Sequence, residues 1–236
     1  MTRRSPRSQC NSLAPRRAFV ERGTVAGYVG GVPTESDTQP PIFTPRLVLH
    51  HVSAPRLITL FAEPESSAVY EGCTYVNPHR VLLDEPGLVR WRATQVKSDV
   101  DLNKWFLRWM VEKHSDVIVG STSFHGAPDA RGMVEIGLGV HPEFQGRGFA
   151  REALVGMWSW VSEQADVRVL RYTVSAANVA SMKLIAGFGF ERTGVQLDHE
   201  SGPEEIFEMS AREFQKRFAT RWRADSASLV ADAPSD

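Results

Sequence analysis

Apolar residues fall in short runs along this chain, and the spacing within the runs changes from strand-like to helical and back. The stretch RLVLHHV (46–52) follows Pro-rich punctuation and reads as a first strand. From Ala54 to Ala68 the pattern is loosely helical, with Leu57, Ile58, Leu60 and Phe61 on one side and Pro64 as a breaker. Residues 70–100 carry Pro, Gly and Asp too often for long regular elements, which predicts loops with short helical turns. In KWFLRWMVEKHSDVIVGSTSFHG (104–126), aromatic and β-branched residues favour a hairpin turning at His114-Ser115-Asp116 over a helix.

The second half is more regular. Met133 to Val140 is an apolar strand broken only by Glu135. Phe149 to Gln164 is the clearest helix, with Ala150, Ala153, Leu154, Met157, Trp158 and Val161 on one stripe. VRVLRYTVSA (167–176) is a buried type of strand. A short helix then opens at Asn178, a good N-cap, and closes at Gly187, a good C-cap. ERTGVQL (191–197) and EEIFEMS (204–210) form a last strand pair, and the tail after Phe218 is polar. Strand, crossover helix and strand imply one parallel pair, with the remaining strands antiparallel. The expected class is mixed α/β.

Composition narrows the function classes. The 236 residues suit one domain with extensions: a disordered basic leader at 1–40, a folded domain at 41–218 and a disordered tail at 219–236. A net charge of −1 and a pI near 6.7 argue against a general nucleic-acid or membrane-surface binder. The leader is the exception, with six Arg against three acidic residues. It lacks the apolar core of a secretory signal, and an Arg/Ser-rich transit peptide is the alternative to a disordered extension. With only Cys10 and Cys73, a disulfide framework is not expected and a reducing cytoplasm is. No apolar run reaches the length of a membrane span.

The candidate chemistry starts at HPEFQGRGFAREAL (141–154). Small residues at Gly146, Gly148 and Ala150 surround an arginine where a strand gives way to a helix. A helix start leaves backbone N–H groups without partners and its dipole favours negative charge, so this is a candidate anion site, strengthened by Arg147 and Arg151. The Lys-Ser/Thr of a nucleotide P-loop is absent, and the third glycine of the dinucleotide fingerprint is replaced by Arg151. A tight strand-to-helix turn without a ligand explains the same small residues.

VEIGLGVHPEFQGRGFAREAL resembles the GNAT superfamily of acyl-CoA N-acyltransferases, whose Gln/Arg-x-x-Gly-x-Gly/Ala loop is matched by Gln145, Gly148 and Ala150. NVASMKLIAGFGFERTG resembles that superfamily's Asn-x-x-Ser/Ala…Gly-Phe segment, and TPRLVLH the opening of the branch that includes ribosomal-protein N-terminal acetyltransferases. The resemblance covers about residues 44–214. It implies a mostly antiparallel sheet with one splayed parallel strand pair, flanked by helices. It also implies acetyl-CoA as acyl donor, its pyrophosphate on the backbone amides of Gly146, Arg147, Gly148, Phe149 and Ala150. The pantetheine arm would lie between Ile136–Val140 and Leu170–Ser175, pairing like an added strand, with a bulge permitted by Gly137 and Gly139.

The implied reaction is attack of an amine on a thioester. Glu135 is the candidate general base, the alternative being an outward-facing strand residue. A backbone N–H among Leu138, Gly139 and Val140 is the candidate oxyanion donor. Ser181 is the candidate acid at the CoA sulfur, beside Asn178; Tyr172 lies nearby but off the superfamily's usual tyrosine position. Leu138 also stands where the branch commonly carries an aromatic residue, which leaves the acceptor pocket's shape open. No metal cofactor is expected: adjacent His50 and His51 point to opposite faces of a strand. His125 is a candidate lining residue or a plain turn histidine, and Cys73 has no recognisable base beside it. The tryptophans suit core or pocket wall better than a cofactor cage. The acceptor, a protein N-terminus or a small amine, is left to residues 54–100. Glu63, Glu65, Glu71, Asp84 and Glu85 there form either an acidic groove or, as preferred, a solvated face. Monomer and homodimer both stay open. The competing class is a catalytically inactive CoA-binding or protein-interaction module of the same fold.

Overall fold

A computed structural model describes residues 39–84, 86–198 and 202–219. The expectations for the leader, the far tail, Cys10 and Glu85 lie outside those residues. Eight strands form one sheet in the order β1-β2-β3-β4-β5-β6-β8-β7. They are β1 (Ile42–Phe43), β2 (Leu47–His51), β3 (Arg108–Glu112), β4 (Val117–Phe124), β5 (Met133–Val140), β6 (Val169–Ser175), β7 (Glu191–Asp198) and β8 (Gly202–Ser210). Only β5 and β6 pair in parallel; the other strand pairs are antiparallel. The expected hairpin is therefore β3–β4 and the expected closing pair β7–β8. The helices are α1 (Ala54–Ala62), α2 (Gly87–Ser98), α3 (Phe149–Val161), α4 (Val179–Ala186) and the one-turn α5 (Ala211–Phe214).

α3 supplies much of the core because its apolar stripe is the one the spacing predicts. Ala153, Leu154, Met157, Trp158 and Val161 are all buried. The Trp158 ring stacks on Phe190 at 4.7 Å and meets Phe188 edge-on at 5.0 Å, with Tyr172 and Phe214 closing the cage. Aromatic pairs in such geometries each contribute about 0.5–1.5 kcal/mol beyond their buried area. The cluster locks α3 against β6 and the residues after α4.

Several expectations need correction. Residues 70–100 do hold one long regular element, α2 at Gly87–Ser98, after a stretch of turns over 71–84. Its buried side reads Leu88, Val89, Arg92, Ala93 and Val96, a helical pattern with an arginine at its centre. α1 ends at Ala62, not Ala68, just before Pro64. Trp105 closes a 3-10 turn (Val100–Trp105), so β3 starts at Arg108. β1 lies ahead of the expected first strand. Gly187 is the C-cap of α4 as expected, although with right-handed torsions (φ −67°), and the left-handed glycine is Gly189 (φ +74°). β5 also pairs with β4 in unbroken register from Ile136 to Val140, so no bulge opens the sheet at Gly137 or Gly139. The gap arises because β5–β6 pairing simply stops at Glu135 and Arg171.

Candidate active site

The strand edge facing that gap follows from alternation. Glu135 O accepts from His125 N and His141 N donates to Val119 O, so the odd positions of β5 spend their backbone groups on β4. The N–H and C=O groups of Ile136, Leu138 and Val140 therefore face the widening gap toward β6. Gln145 Nε2 caps one of them, donating to Val140 O at 2.9 Å.

The loop after β5 ends on two left-handed glycines, Gly146 (φ +75°) and Gly148 (φ +84°). A Cβ on Gly146 would meet nothing within 4 Å. The requirement there is conformational, because non-glycine residues pay about 1–2 kcal/mol for left-handed torsions. So the glycines need no close-packed neighbour to explain them. Their consequence is chemical: Gly148 is the N-cap of α3 and has no side chain to cap with. The first backbone bond into the helix runs from Glu152 N to Gly148 O, which leaves the N–H groups of Phe149, Ala150 and Arg151 ahead of it without helical partners.

A cleft of about 710 Å³ opens at this helix start. Leu138, Gly139, Val140, Gln145, Gly146, Gly148, Phe149, Ala150, Asn178 and Ser181 all line it, together with Phe144, Arg151 and Tyr172. Arg147 is not in the wall: it is exposed, and its guanidinium lies over the Phe144 ring at 5.1 Å. Asn178 does cap α4, its side chain accepting from Ser181 N at 3.1 Å. Tyr172 is 1% exposed.

Glu135 stands apart from that wall. Side chains alternate along a strand, so Glu135 points to the face opposite Leu138 and Val140. It is 7% exposed, which removes the outward-facing alternative. Its Oε1 accepts from Thr173 Oγ1 at 2.6 Å and lies 3.3 Å from His125 Nδ1. A second pocket of about 230 Å³ surrounds it, lined by Trp91, His125, Asp129, Gln196, Asp198 and Glu204 among others. Asp129 is held below the ordinary carboxylate range, chiefly by the Met133 N–H, so it stays charged.

Two supports escaped the sequence reading. Arg92 is fully buried and donates to His125 O at 2.8 Å and to Gln95 Oε1 at 2.9 Å. Burial pulls its guanidinium down to about 9. Its guanidinium also lies over the Trp91 ring at 4.0 Å, so it braces two walls of the second pocket. Arg46, from the β1–β2 turn, pairs with Glu152 in the first turn of α3 and donates to Arg147 O at 2.9 Å. Neither is findable from spacing, since both act across the fold. Glu63, Glu65, Glu71 and Asp84 are exposed and line neither pocket, and Glu65 and Asp84 pair with exposed Arg80, a solvated face.

Comparison with known proteins fixes the family. The model described as "Acetyltransferase (GNAT) domain" matches residues 46–191. The chain belongs to the GNAT acetyltransferase family. It is 30% identical over 99 residues to the uncharacterized N-acetyltransferase YjdG of Bacillus subtilis, covering 42% of this chain and 56% of that protein. It is 23% identical over 108 residues to the uncharacterized N-acetyltransferase p20 of Bacillus licheniformis, covering 46% and 61%. The aligned region thus spans little more than half of these GNAT relatives. Among solved structures, the ribosomal-protein-S5-alanine acetyltransferase from Vibrio fischeri superposes with a TM-score of 0.54 at 14% identity, over 75% of this chain and 99% of that one. A spermidine N-acetyltransferase SpeG chimera from Vibrio cholerae gives 0.51 at 13% identity, over 73% and 99%. At these identities the GNAT fold is what is shared. Among the described residues no helix is long and apolar enough to cross a membrane.

Proposed function

We propose that this GNAT protein moves an acetyl group from acetyl-CoA directly to a primary amine. The observation that carries the proposal is the pair of pockets on opposite faces of β5 where it parts from β6. One is walled by uncapped helix N–H groups and a free strand edge, the other by Glu135 and further carboxylates.

The pyrophosphate rests on the amides from Gly146 to Ala150, where charge-assisted hydrogen bonds contribute about 1.5–3 kcal/mol each. The pantetheine amides pair with the gap-facing edge of β5. This brings the thioester toward Leu138–Val140, whose backbone N–H groups face the developing oxyanion.

The amine enters the second pocket. Asp129, Glu135, Asp198 and Glu204 line it, and among the described residues His125 is its only basic lining residue, so an amine arriving as an ammonium ion is favoured. Glu135 takes the proton before attack, and His125, 3.3 Å away and partly exposed, offers a route outward. Collapse of the tetrahedral intermediate expels the CoA thiolate, which Ser181 or buried Tyr172 protonates from the wall of the main cleft.

The test is release of free CoA thiol against a panel of primary amines, using the parent protein and Glu135→Gln. Amine-dependent turnover that collapses in the variant supports the proposal. Acetyl-CoA binding without turnover on any amine would favour the inactive, cofactor-binding alternative.

A further inference from the structure

A group of side chains outside both pockets has the donor set of a transition-metal site. His79, His141 and Glu143 each present one ligand atom, and the three atoms lie within 4.8 Å of one another. They come from two segments that the fold brings together. His79 sits in the 77–84 turn, whose shape is fixed by Asn77: its Oδ1 accepts from Val81 N at 2.9 Å and its Nδ2 donates to Val81 O at 3.1 Å. His141 and Glu143 flank Pro142 at the end of β5, with the His141 N–H anchored to Val119 O at 2.8 Å.

The contacts within the group are those of near-ligands more than of a salt bridge. His79 Nδ1 stands 3.8 Å from Glu143 Oε1, beyond hydrogen-bonding range. The two imidazole rings lie 4.5 Å apart and tilted by 36°. His141 Nδ1 is shut off from solvent and has no hydrogen-bond partner among the described residues. A buried ring nitrogen without a partner calls for an explanation. Ligand atoms on a tetrahedral ion with bonds of about 2.0–2.2 Å lie roughly 3.4 Å apart. Small side-chain rotations therefore close the set, and Glu143 is exposed enough to make them.

The geometry points to a binding site for a borderline divalent cation of the Zn²⁺ class, held by His79, His141 and Glu143 with a fourth position open to water. Two imidazoles and one carboxylate suit Zn²⁺, Co²⁺ or Ni²⁺ and disfavour Mg²⁺ and Ca²⁺, which take oxygen ligands. The ion would staple the 77–84 turn to the loop that leads into Gly146 and Gly148. Phe144 makes the link tangible: its ring meets His79 edge-on at 5.1 Å and also lines the main cleft. Arg147 keeps its guanidinium over the Phe144 ring, 5.1 Å from its centre.

The test is titration of Zn²⁺ into metal-stripped, tag-free full-length protein by calorimetry, with Co²⁺ absorption as a report on coordination. The expected result is one Zn²⁺ per chain at micromolar affinity or tighter, and intense visible Co²⁺ bands. His79→Gln and His141→Gln each weaken binding at least tenfold, while His114→Gln, in the exposed β3–β4 turn, leaves it unchanged. The Zn²⁺-induced rise in melting temperature, read against each variant's own metal-free value, separates lost ligation from lost folding. Mg²⁺ produces no response. No Zn²⁺ binding by the parent, or binding that His79→Gln and His141→Gln leave intact, overturns the inference and reduces the group to ring packing.

Discussion

Arg46 and Glu152 meet across the fold in an ion pair 2.8 Å long, and the pair ties the first strands to the first turn of α3. Glu152 is the busier partner. Its Oε1 also accepts from Arg46 N at 2.6 Å, from Leu47 N at 3.1 Å and from the Thr44 hydroxyl. One carboxylate thus fixes the β1–β2 turn and, through Arg46 Nη1 on Arg147 O, the backbone of the glycine loop. Glu152→Gln places an amide NH₂ among donors and is expected to destabilise the protein by about 1–3 kcal/mol. Acetyl-CoA binding weakens with it. Urea unfolding and calorimetry on the same samples check both effects.

Glu135→Gln removes the proposed base and keeps the shape. Loss of general-base help predicts a fall in kcat of about 10²–10⁴-fold, with acetyl-CoA affinity unchanged because Glu135 lies outside the cleft proposed for the cofactor. A matching loss of acetyl-CoA binding would move Glu135 from chemistry to structure.

Arg92 carries a charge into the core, where its hydrogen bonds go to the His125 carbonyl and the Gln95 amide oxygen. Replacing such a group by an apolar side chain of similar length removes its desolvation penalty. Arg92→Met is expected to unfold within about 1 kcal/mol of the parent, yet to lose kcat/KM several-fold as the His125 carbonyl and Trp91 come loose. A paired urea midpoint and steady-state assay decides it.

His51 sets a pH dependence of stability. It is 3% exposed, its Nδ1 accepts from Gln39 N and its Nε2 donates to Asn103 O, so the neutral ring is the one the fold holds. Burial lowers it to about 4. A folded value below the unfolded value near 6.5 means that the unfolded chain binds the extra proton first. The stabilisation is complete above pH 6.5 and is lost as pH falls toward 4, by at most about 3 kcal/mol in all. His51→Gln is less stable at pH 7 but lacks this slope. Urea midpoints at several pH values between 4 and 7 give the comparison.

The local elements around the candidate site are more legible in the chain than the contacts that join distant segments. β5, the glycine loop and α3 follow one another locally, and each declares itself by a pattern within a single stretch. Asn178 and Ser181 are equally local, three residues apart on one turn. α2 was missed because the centre of its buried face is Arg92, and a charged residue there breaks the apolar rhythm that marks a helix. The pairing of Glu135 with Thr173 and His125 was hidden for a different reason. Nothing in a one-dimensional pattern shows which residues of β4, β5 and β6 stand side by side. The carboxylates around Glu135 leave no local mark either: Asp129 comes from the β4–β5 turn, and Asp198 and Glu204 reach the pocket only through the pairing of β6, β7 and β8.

In this proposal the α3 N-terminus cradles the cofactor's pyrophosphate. The direct measurement is calorimetric titration of acetyl-CoA and desulfo-CoA into the full chain and into Gly148→Asn and Gly148→Asp. Asparagine and aspartate both tolerate left-handed torsions and differ mainly in charge. Micromolar binding by the parent, retained within about tenfold by Gly148→Asn and abolished by Gly148→Asp, is the predicted result. Absence of binding by the parent, or equal binding by both variants, would contradict it and leave the glycines as a tight turn.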